Sequence, residues 1–221
     1  MCLADGLHVV DPDARSCDLL AAYPHELGAR ANDANADNAG NLVTGTLNLT
    51  PGPGSLWHFS ADGGWTQLYA PFGNANGPVV LEAEGIETLV FGDTLARKMY
   101  GFPYDPAGPS VSAPALMLDH AGLGGAPDGA TADAEGAVWT AVVRGGKLAR
   151  VAAAGLDRVL DLPVINPSDV TFGGAGLDRL FVTLIAVDLG AGTGELAGAL
   201  LALDVGVKGR PEARVRFGEG R

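Results

Sequence analysis

The sequence predicts an all-β fold, and three observations carry that prediction. Its apolar segments are short, rich in β-branched and aromatic residues, and bounded by turn chemistry. Gly and Pro supply 33 and 14 of the 221 residues, without a Gly-X-Y period or long polar tracts, which suits a fold with many tight turns. Helical periodicity is nearly absent: Asp93–Met99 has the length of a helical turn, but both of its neighbours read as strands.

Taken in order, the predicted strands are Leu42–Leu47, Ser55–Phe59, Gln67–Tyr69, Glu87–Phe91, Lys98–Tyr104, Ala137–Val143, Leu148–Val151, Leu180–Leu184 and Ala199–Val205. Turn dipeptides and tripeptides separate them: Asp62-Gly63-Gly64, Asp128-Gly129, Glu135-Gly136, Gly145-Gly146 and Gly173-Gly174. With 47% apolar residues the chain has ample material for a sizeable core, and one domain over residues 1–221 accounts for its length.

A repeat emerges from the polar pairs that precede strands. Asn32-Asp33 leads to Leu42–Leu47, Asn76-Gly77 to Thr88–Phe91, Asp128-Gly129 to Ala137–Val143, and Ser168-Asp169 to Leu180–Leu184. From Asn32 to Asn76, Asp128 and Asp169 the successive steps are 44, 52 and 41 residues. That period fits four-stranded propeller blades, although neither WD nor kelch signatures occur. Each blade places its first strand against a central channel, so the polar residue opening each repeat points toward a common mouth. An evenly spaced β-sandwich would not explain an amide or carboxylate recurring at one phase.

Charge narrows the function classes. A net charge of −12, with 26 acids against 14 bases, repels phosphate backbones and anionic membrane surfaces, so neither nucleic acid nor membrane is expected as a partner. The longest apolar stretches, Leu180–Val187 and Leu196–Leu203, fall far short of the roughly 20 residues a membrane helix needs. The first 18 residues carry Asp5, Asp11, Asp13 and Asp18 and have no signal-peptide pattern. Only Cys2 and Cys17 offer thiols, and a pair this sparse reads as buried thiols in a reducing, cytoplasmic compartment.

Several motifs fail on their details. Asp33-Ala-Asn35-Ala-Asp37 opens like an EF-hand loop, but its sixth position is Asn38 and its twelfth is Thr44; the stretch reads as a polar turn feeding a strand. Gly190-Ala-Gly192-Thr-Gly194 matches no phosphate-loop spacing and reads as a hairpin loop. The nucleophile elbow G-x-S-x-G is absent. His8, His25, His58 and His120 stand at no metal-ligand spacing and read as surface or core histidines. Oxygen donors remain: Asn32, Asn76 and Asp128, one per repeat, can converge on a hard cation. Asn-Gly and Asp-Gly are also the commonest turn dipeptides, and spacing alone leaves both readings open.

These residues carry a resemblance. Arg30-Ala-Asn32-Asp33 before Asn38–Leu47, Asn76-Gly77 before Phe91-Gly-Asp93-Thr94, Pro127-Asp128-Gly129 before Asp133–Trp139, and Pro167–Gly174 before Leu180–Thr183 are similar to the SMP-30/gluconolactonase family, which includes regucalcin. Gly198–Gly209 looks like the closing strand of that family. The resemblance implies a six-bladed β-propeller that hydrolyses a sugar lactone. It implies Asn76 and Asp128 as metal ligands and Arg30 and Asn32 as substrate-binding residues. One divalent cation, Ca²⁺, Zn²⁺, Mg²⁺ or Mn²⁺, is implied to polarise the lactone carbonyl and activate water, with Asp128 as the catalytic residue that manages the proton.

The family's first blade brings a glutamate ligand in a Glu-Gly-Pro-type motif, and no such motif stands here. The expectation is therefore a partial propeller of about four and a half blades with the first blade missing, short by roughly 70–80 residues at this repeat length. Glu26, the nearest upstream carboxylate, belongs to a loop on a different blade and is not expected to replace the ligand. An open ring exposes a strand edge, which makes self-association an expectation. The rival reading is a non-catalytic propeller that binds a small ligand or a protein at its channel mouth.

Overall fold

The computed structural model describes residues 1–24, 30–48, 54–187 and 195–216. These hold eighteen strands arranged as a β-propeller of four blades, preceded by a separate hairpin. The hairpin pairs β1 (Gly6–Asp11) with β2 (Ser16–Ala22). The first blade runs β3 (Arg30–Ala36), β4 (Leu42–Leu47), β5 (Gly54–Phe59) and β6 (Trp65–Phe72) in simple antiparallel order. The second runs β7 (Ala75–Ala83), β8 (Ile86–Asp93) and β9 (Lys98–Asp105), with β10 (Ser110–Val111) and β11 (Ala115–Asp119) both pairing the outer edge of β9. The third is β12 (Ala126–Ala132), β13 (Val138–Val143), β14 (Lys147–Ala152) and β15 (Gly155–Asp161). The fourth is β16 (Pro167–Gly173), β17 (Arg179–Leu184) and β18 (Leu200–Leu203).

Among the described residues the only helical element is a single 3-10 turn, His120–Leu123, capped by Asp119 accepting from the Ala121 amide. None of the described helices is long and apolar enough to cross a membrane. Glu26, His25 and the glycine-rich stretch 190–194 lie outside the described residues.

Every predicted strand is present, and the missing ones follow a rule. The strands the sequence hid are the first strand of each blade, the outer strands β10, β11 and β15, and the terminal hairpin. Asp33-Ala-Asn35-Ala is not a turn but the body of β3; its polar side chains belong to a strand that faces a channel rather than a core. Asp37 begins the turn after it. Its buried carboxylate accepts from the Asn41 backbone amide and side chain and from the Tyr104 hydroxyl, each at 2.8 Å.

The core lies between blades, because a propeller buries both faces of its middle strands. That is why Val138–Val143 is buried at every position and reads as a continuous apolar run. Val43, Leu56, Phe91 and Phe102 pack between the first and second blades, Val79, Val90, Met99 and Val138 between the second and third, and Trp139, Leu148, Phe172 and Leu180 between the third and fourth. Two buried histidines sit in this framework, His58 and His120, and burial pushes the His120 imidazole down to about 4. Cys2 and Cys17 are free thiols but not buried ones: Cys17, on the hairpin that stands apart from the blades, is exposed, and Cys2 is half-buried.

One ion cluster ties the third blade together. Arg150 donates from Nε to Asp133, from Nη2 to Glu135 and from Nη1 to Asp157, all at 2.7 Å, and Trp139 Nε1 donates to the same Asp133 carboxylate at 3.0 Å.

Candidate active site

The four first strands pack in sequence around the channel, β3 on β7, β7 on β12 and β12 on β16. Each changes register with its second strand at the same phase: between Ala31 and Ala34, Asn76 and Val79, Pro127 and Ala130, and Pro167 and Asp169. A β-bulge bends its strand and re-aims the side chains beside it. Asn32-Asp33, Gly77-Pro78, Asp128-Gly129 and Ser168 all fall inside these irregularities, so the recurring polar pairs of the sequence are bulges, not hairpin turns. At Gly77 the backbone has φ +56, and an added Cβ would meet the Asp128 carbonyl at 2.8 Å; only glycine lets β7 approach β12 this closely.

Where the first strands begin and the second strands end, a cleft of about 690 Å³ opens, lined by Arg30, Asn74, Asn76, Thr94 and Asp128 among others. Three of the four sequence-predicted residues, Arg30, Asn76 and Asp128, meet here. Asn32 does not line the cleft but stands behind it, donating its carboxamide to Asn76 Oδ1. Arg30 donates to Asn32 Oδ1 at 3.4 Å and to the Ala31 carbonyl at 3.0 Å. Asn76 Nδ2 donates to Thr94 Oγ1 at 2.6 Å, and the Thr94 hydroxyl donates to the Pro127 carbonyl at 2.8 Å. A single hydrogen-bond chain therefore runs Arg30, Asn32, Asn76, Thr94, Pro127 across three blades, and it fixes which way the Asn76 carboxamide faces.

Three carboxylates crowd the channel beside this chain. Burial first, then the charges of Asp33 and Asp169, push the Asp128 carboxyl up to about 8, against the opposing pull of the Gly129 amide. Burial and the Asp33 charge raise Asp169 to about 7, and the Glu212 charge adds to them. Asp33 is raised by burial, although it accepts from the Gly77 amide at 2.7 Å and the Ala34 amide at 2.8 Å. No Lys or Arg forms an ion pair with any of the three among the described residues. A second cavity, about 190 Å³, lies between Asp33, Asp169 and Glu212.

The donor chemistry at the cleft is oxygen only: the Asp128 carboxylate, the second lone pair of Asn76 Oδ1, and Asn74 Oδ1, a buried atom without a hydrogen-bond partner among the described residues. Hard divalent cations take such donors, and an uncompensated buried carboxylate next to them suits a positive charge. The His, Cys, Asp and Glu side chains alone do not assemble a group of three able to hold a metal among the described residues, so carboxamide oxygens have to contribute.

Sequence reasoning missed Asn74, Thr94, Arg97, Arg144 and the channel carboxylates Asp33 and Asp169 as parts of this region. One signal was available: Asn74 and Asn76 are two apart, and residues at that spacing on an extended chain share a face. Asp33 and Asp169 carried one as well, as members of the recurring Asn32-Asp33 and Ser168-Asp169 pairs, whereas Thr94, Arg97 and Arg144 lacked one because they reach the cleft from turns that only the folded blades bring together.

Comparison with known proteins places this architecture. The family model described as SMP-30/gluconolactonase/LRE-like region matches residues 1–186. Pentonolactonase XacC of Haloferax volcanii is 36% identical over 220 residues, covering 95% of this chain and 74% of the relative. Among solved structures, a calcium-binding regucalcin from Agrobacterium tumefaciens superposes with a TM-score of 0.85 at 27% identity, covering 97% of this chain and 74% of that one. A luciferin-regenerating enzyme gives 0.84 at 26% identity, covering 98% and 76%. With its four blades, its bulged first strands and a family match over most of its length, the chain belongs to the SMP-30/gluconolactonase/LRE-like family.

Proposed function

We propose that this protein hydrolyses a sugar lactone in the cleft between its first strands, with Asp128 as the catalytic residue, Asn76 and Asp128 holding one divalent cation, and Arg30 and Asn32 serving the substrate. The observation that carries the reading is the convergence of Arg30, Asn76 and Asp128 on one cleft, with Arg30 and Asn76 joined through Asn32 by hydrogen bonds. Relatives named as lactonases support the reaction class. The calcium-binding regucalcin supports a hard cation without fixing which one. In this reading the four blades belong to a six-bladed ring.

The chemistry assigned to the chain is limited. Asp128 accepts a proton from the attacking water and returns it to the ring oxygen as the C–O bond breaks, so lactone and water become one hydroxy acid. Arg30, anchored by the Ala31 carbonyl and Asn32, donates to substrate oxygens and to the carboxylate that forms. Asn32 keeps the Asn76 oxygen aimed at the cleft. The cation, when bound, supplies Lewis-acid polarisation of the carbonyl.

The test is hydrolysis of glucono-1,5-lactone by the purified chain with and without Ca²⁺, Zn²⁺, Mg²⁺ and Mn²⁺, beside Asp128→Ala. Cation-stimulated turnover that Asp128→Ala abolishes is expected. Turnover at the uncatalysed background, indifferent to metal and to the substitution, would sink the hydrolase reading and leave a ligand-binding propeller.

A further inference from the structure

The cleft reverses the sign of the molecule around it. The chain carries 26 acids and 14 bases, yet three arginines, Arg30, Arg97 and Arg144, line the cleft against a single carboxylate, Asp128. Arg30 belongs to the hydrogen-bond chain already described. Arg97 and Arg144 do not, and nothing in the reading above uses them.

Their placement repeats from blade to blade. Arg97 closes the turn between β8 and β9, and Arg144 opens the turn between β13 and β14, so both come from the connection between second and third strands, at the same end of the propeller. Arg97 is pinned to the cleft wall: its Nε donates to the Gly125 carbonyl at 2.9 Å, and its terminal amino groups keep no partner among the described residues. The nearest acid in its own turn, Asp93, is spent on backbone amides, accepting from Gly73 at 2.9 Å, Asn74 at 3.3 Å, Leu95 at 3.1 Å and Ala96 at 3.0 Å. Arg144 forms no ion pair among the described residues, and no side-chain hydrogen bond there engages it. Two guanidinium groups on one rim, neither neutralised, present paired donors suited to an oxyanion.

We propose that Arg97 and Arg144 form an anion subsite on the rim and that the substrates are acidic sugar lactones, bearing a carboxylate or phosphate remote from the lactone carbonyl. This rests on the lactonase reading above for the reacting end of the substrate. The arginine pair selects the other end, and a neutral lactone of the same ring leaves it unused.

Binding and turnover separate the two ideas. Calorimetry on the full chain would compare gluconate, which has one anionic end, with glucarate and 6-phosphogluconate, which have two. At least tenfold tighter binding of one two-ended acid is expected, with the preference falling toward one in Arg97→Gln/Arg144→Gln and weakening as salt rises. Preference for glucarate alone identifies the carboxylate as the group read, and preference for 6-phosphogluconate alone identifies the phosphate. Equal binding of all three acids, or a preference the double variant leaves intact in a chain with wild-type thermal unfolding, overturns the subsite. In turnover, glucaro-1,4-lactone is expected to outpace glucono-1,4-lactone, or 6-phosphoglucono-1,5-lactone to outpace glucono-1,5-lactone, in kcat/KM. Hydrolysis of both rings without a charge preference also overturns it while leaving the lactonase standing. Selective binding without any hydrolysis supports the subsite and overturns the lactonase.

Discussion

Asn76 donates from Nδ2 to Thr94 Oγ1 at 2.6 Å, so the carboxamide that faces the cleft from the second blade is held by the turn of its own blade. The same hydroxyl donates onward to the Pro127 carbonyl at 2.8 Å, one residue before Asp128. One threonine thus couples the two positions proposed to hold a cation.

Thr94→Val keeps the shape and removes both bonds. Partners that orient ligands typically contribute 10–100-fold to metal affinity or activity. Calorimetric titration with Ca²⁺ or Mn²⁺ should show weakening on the order of tenfold, and Thr94→Ser should restore most of it. Equal affinity in the valine and wild-type chains would remove Thr94 from any orienting role.

The channel carboxyls give stability a pH dependence of unusual sign. Asp128 is raised to about 8 and Asp169 to about 7 in the folded chain, against about 3.9 for an unfolded aspartate. Between those limits the native state holds protons that the unfolded chain has released, so stability falls as pH rises, from about pH 4 until both groups have ionised near pH 8. Like charges crowding one channel titrate as a coupled set, and the slope belongs to the set. Buried His120, held down to about 4, opposes this trend below about pH 6.5, so chelator-treated protein should melt at progressively lower temperature from pH 6.5 to pH 8.5, and Asp128→Asn should flatten the decline. A melting temperature that rises over the same interval would contradict the burial of these carboxyls.

Much of the fold could be read from the chain because the middle strands of a propeller are rich in apolar residues; Val138–Val143, buried on both faces, stood out for that reason, while Leu180–Leu184 is buried only at every second position. The first strands were visible only through their polar punctuation. Arg30–Ala36 has almost no apolar signal, since the channel it faces is lined by amides and carboxylates, and it reads as a turn until its pairing with Leu42–Leu47 is seen. At the site, Arg30, Asn32, Asn76 and Asp128 were reachable through the repeat and the family resemblance. Thr94 stood in a quoted motif without a role, and Arg97 and Arg144 carried no signal, because their proximity depends on the rotation from one blade to the next.

The third blade depends on Arg150, whose side chain is 8% exposed and whose principal partner, Asp133, is fully buried. Removing one member of a buried pair strands the other, at a cost of about 3–5 kcal/mol. Urea denaturation of Arg150→Ala should therefore show a severe loss, while Glu135→Gln, on a side chain 64% exposed, should cost about 1 kcal/mol or less. Equal costs for the two would mean that the cluster is a surface feature and not an internal brace.

Gly77 offers the sharpest test of the bulged first strands. In a hairpin turn an Asn-Gly pair tolerates replacement of the glycine at modest cost. Here residue 77 combines a left-handed φ of +56 with a Cβ position 2.7 Å from the Ala130 Cβ and 2.8 Å from the Asp128 carbonyl. Gly77→Ala has to push β12 away from β7, and it also disturbs the Gly77 amide that Asp33 accepts from. Left-handed strain alone costs on the order of 1–3 kcal/mol, and the backbone collision adds to it. Gly63, also at positive φ but with nothing within 4 Å of its Cβ, isolates the strain from the collision. Gly63→Ala should lower the melting temperature by a few degrees, for a cost of about 1 kcal/mol. Gly77→Ala should lower it substantially more, and it should weaken cation and lactone binding, which Gly63→Ala leaves alone. Matching effects from both substitutions would mean that β7 and β12 are not in the close approach that brings Asn76 and Asp128 to one cleft.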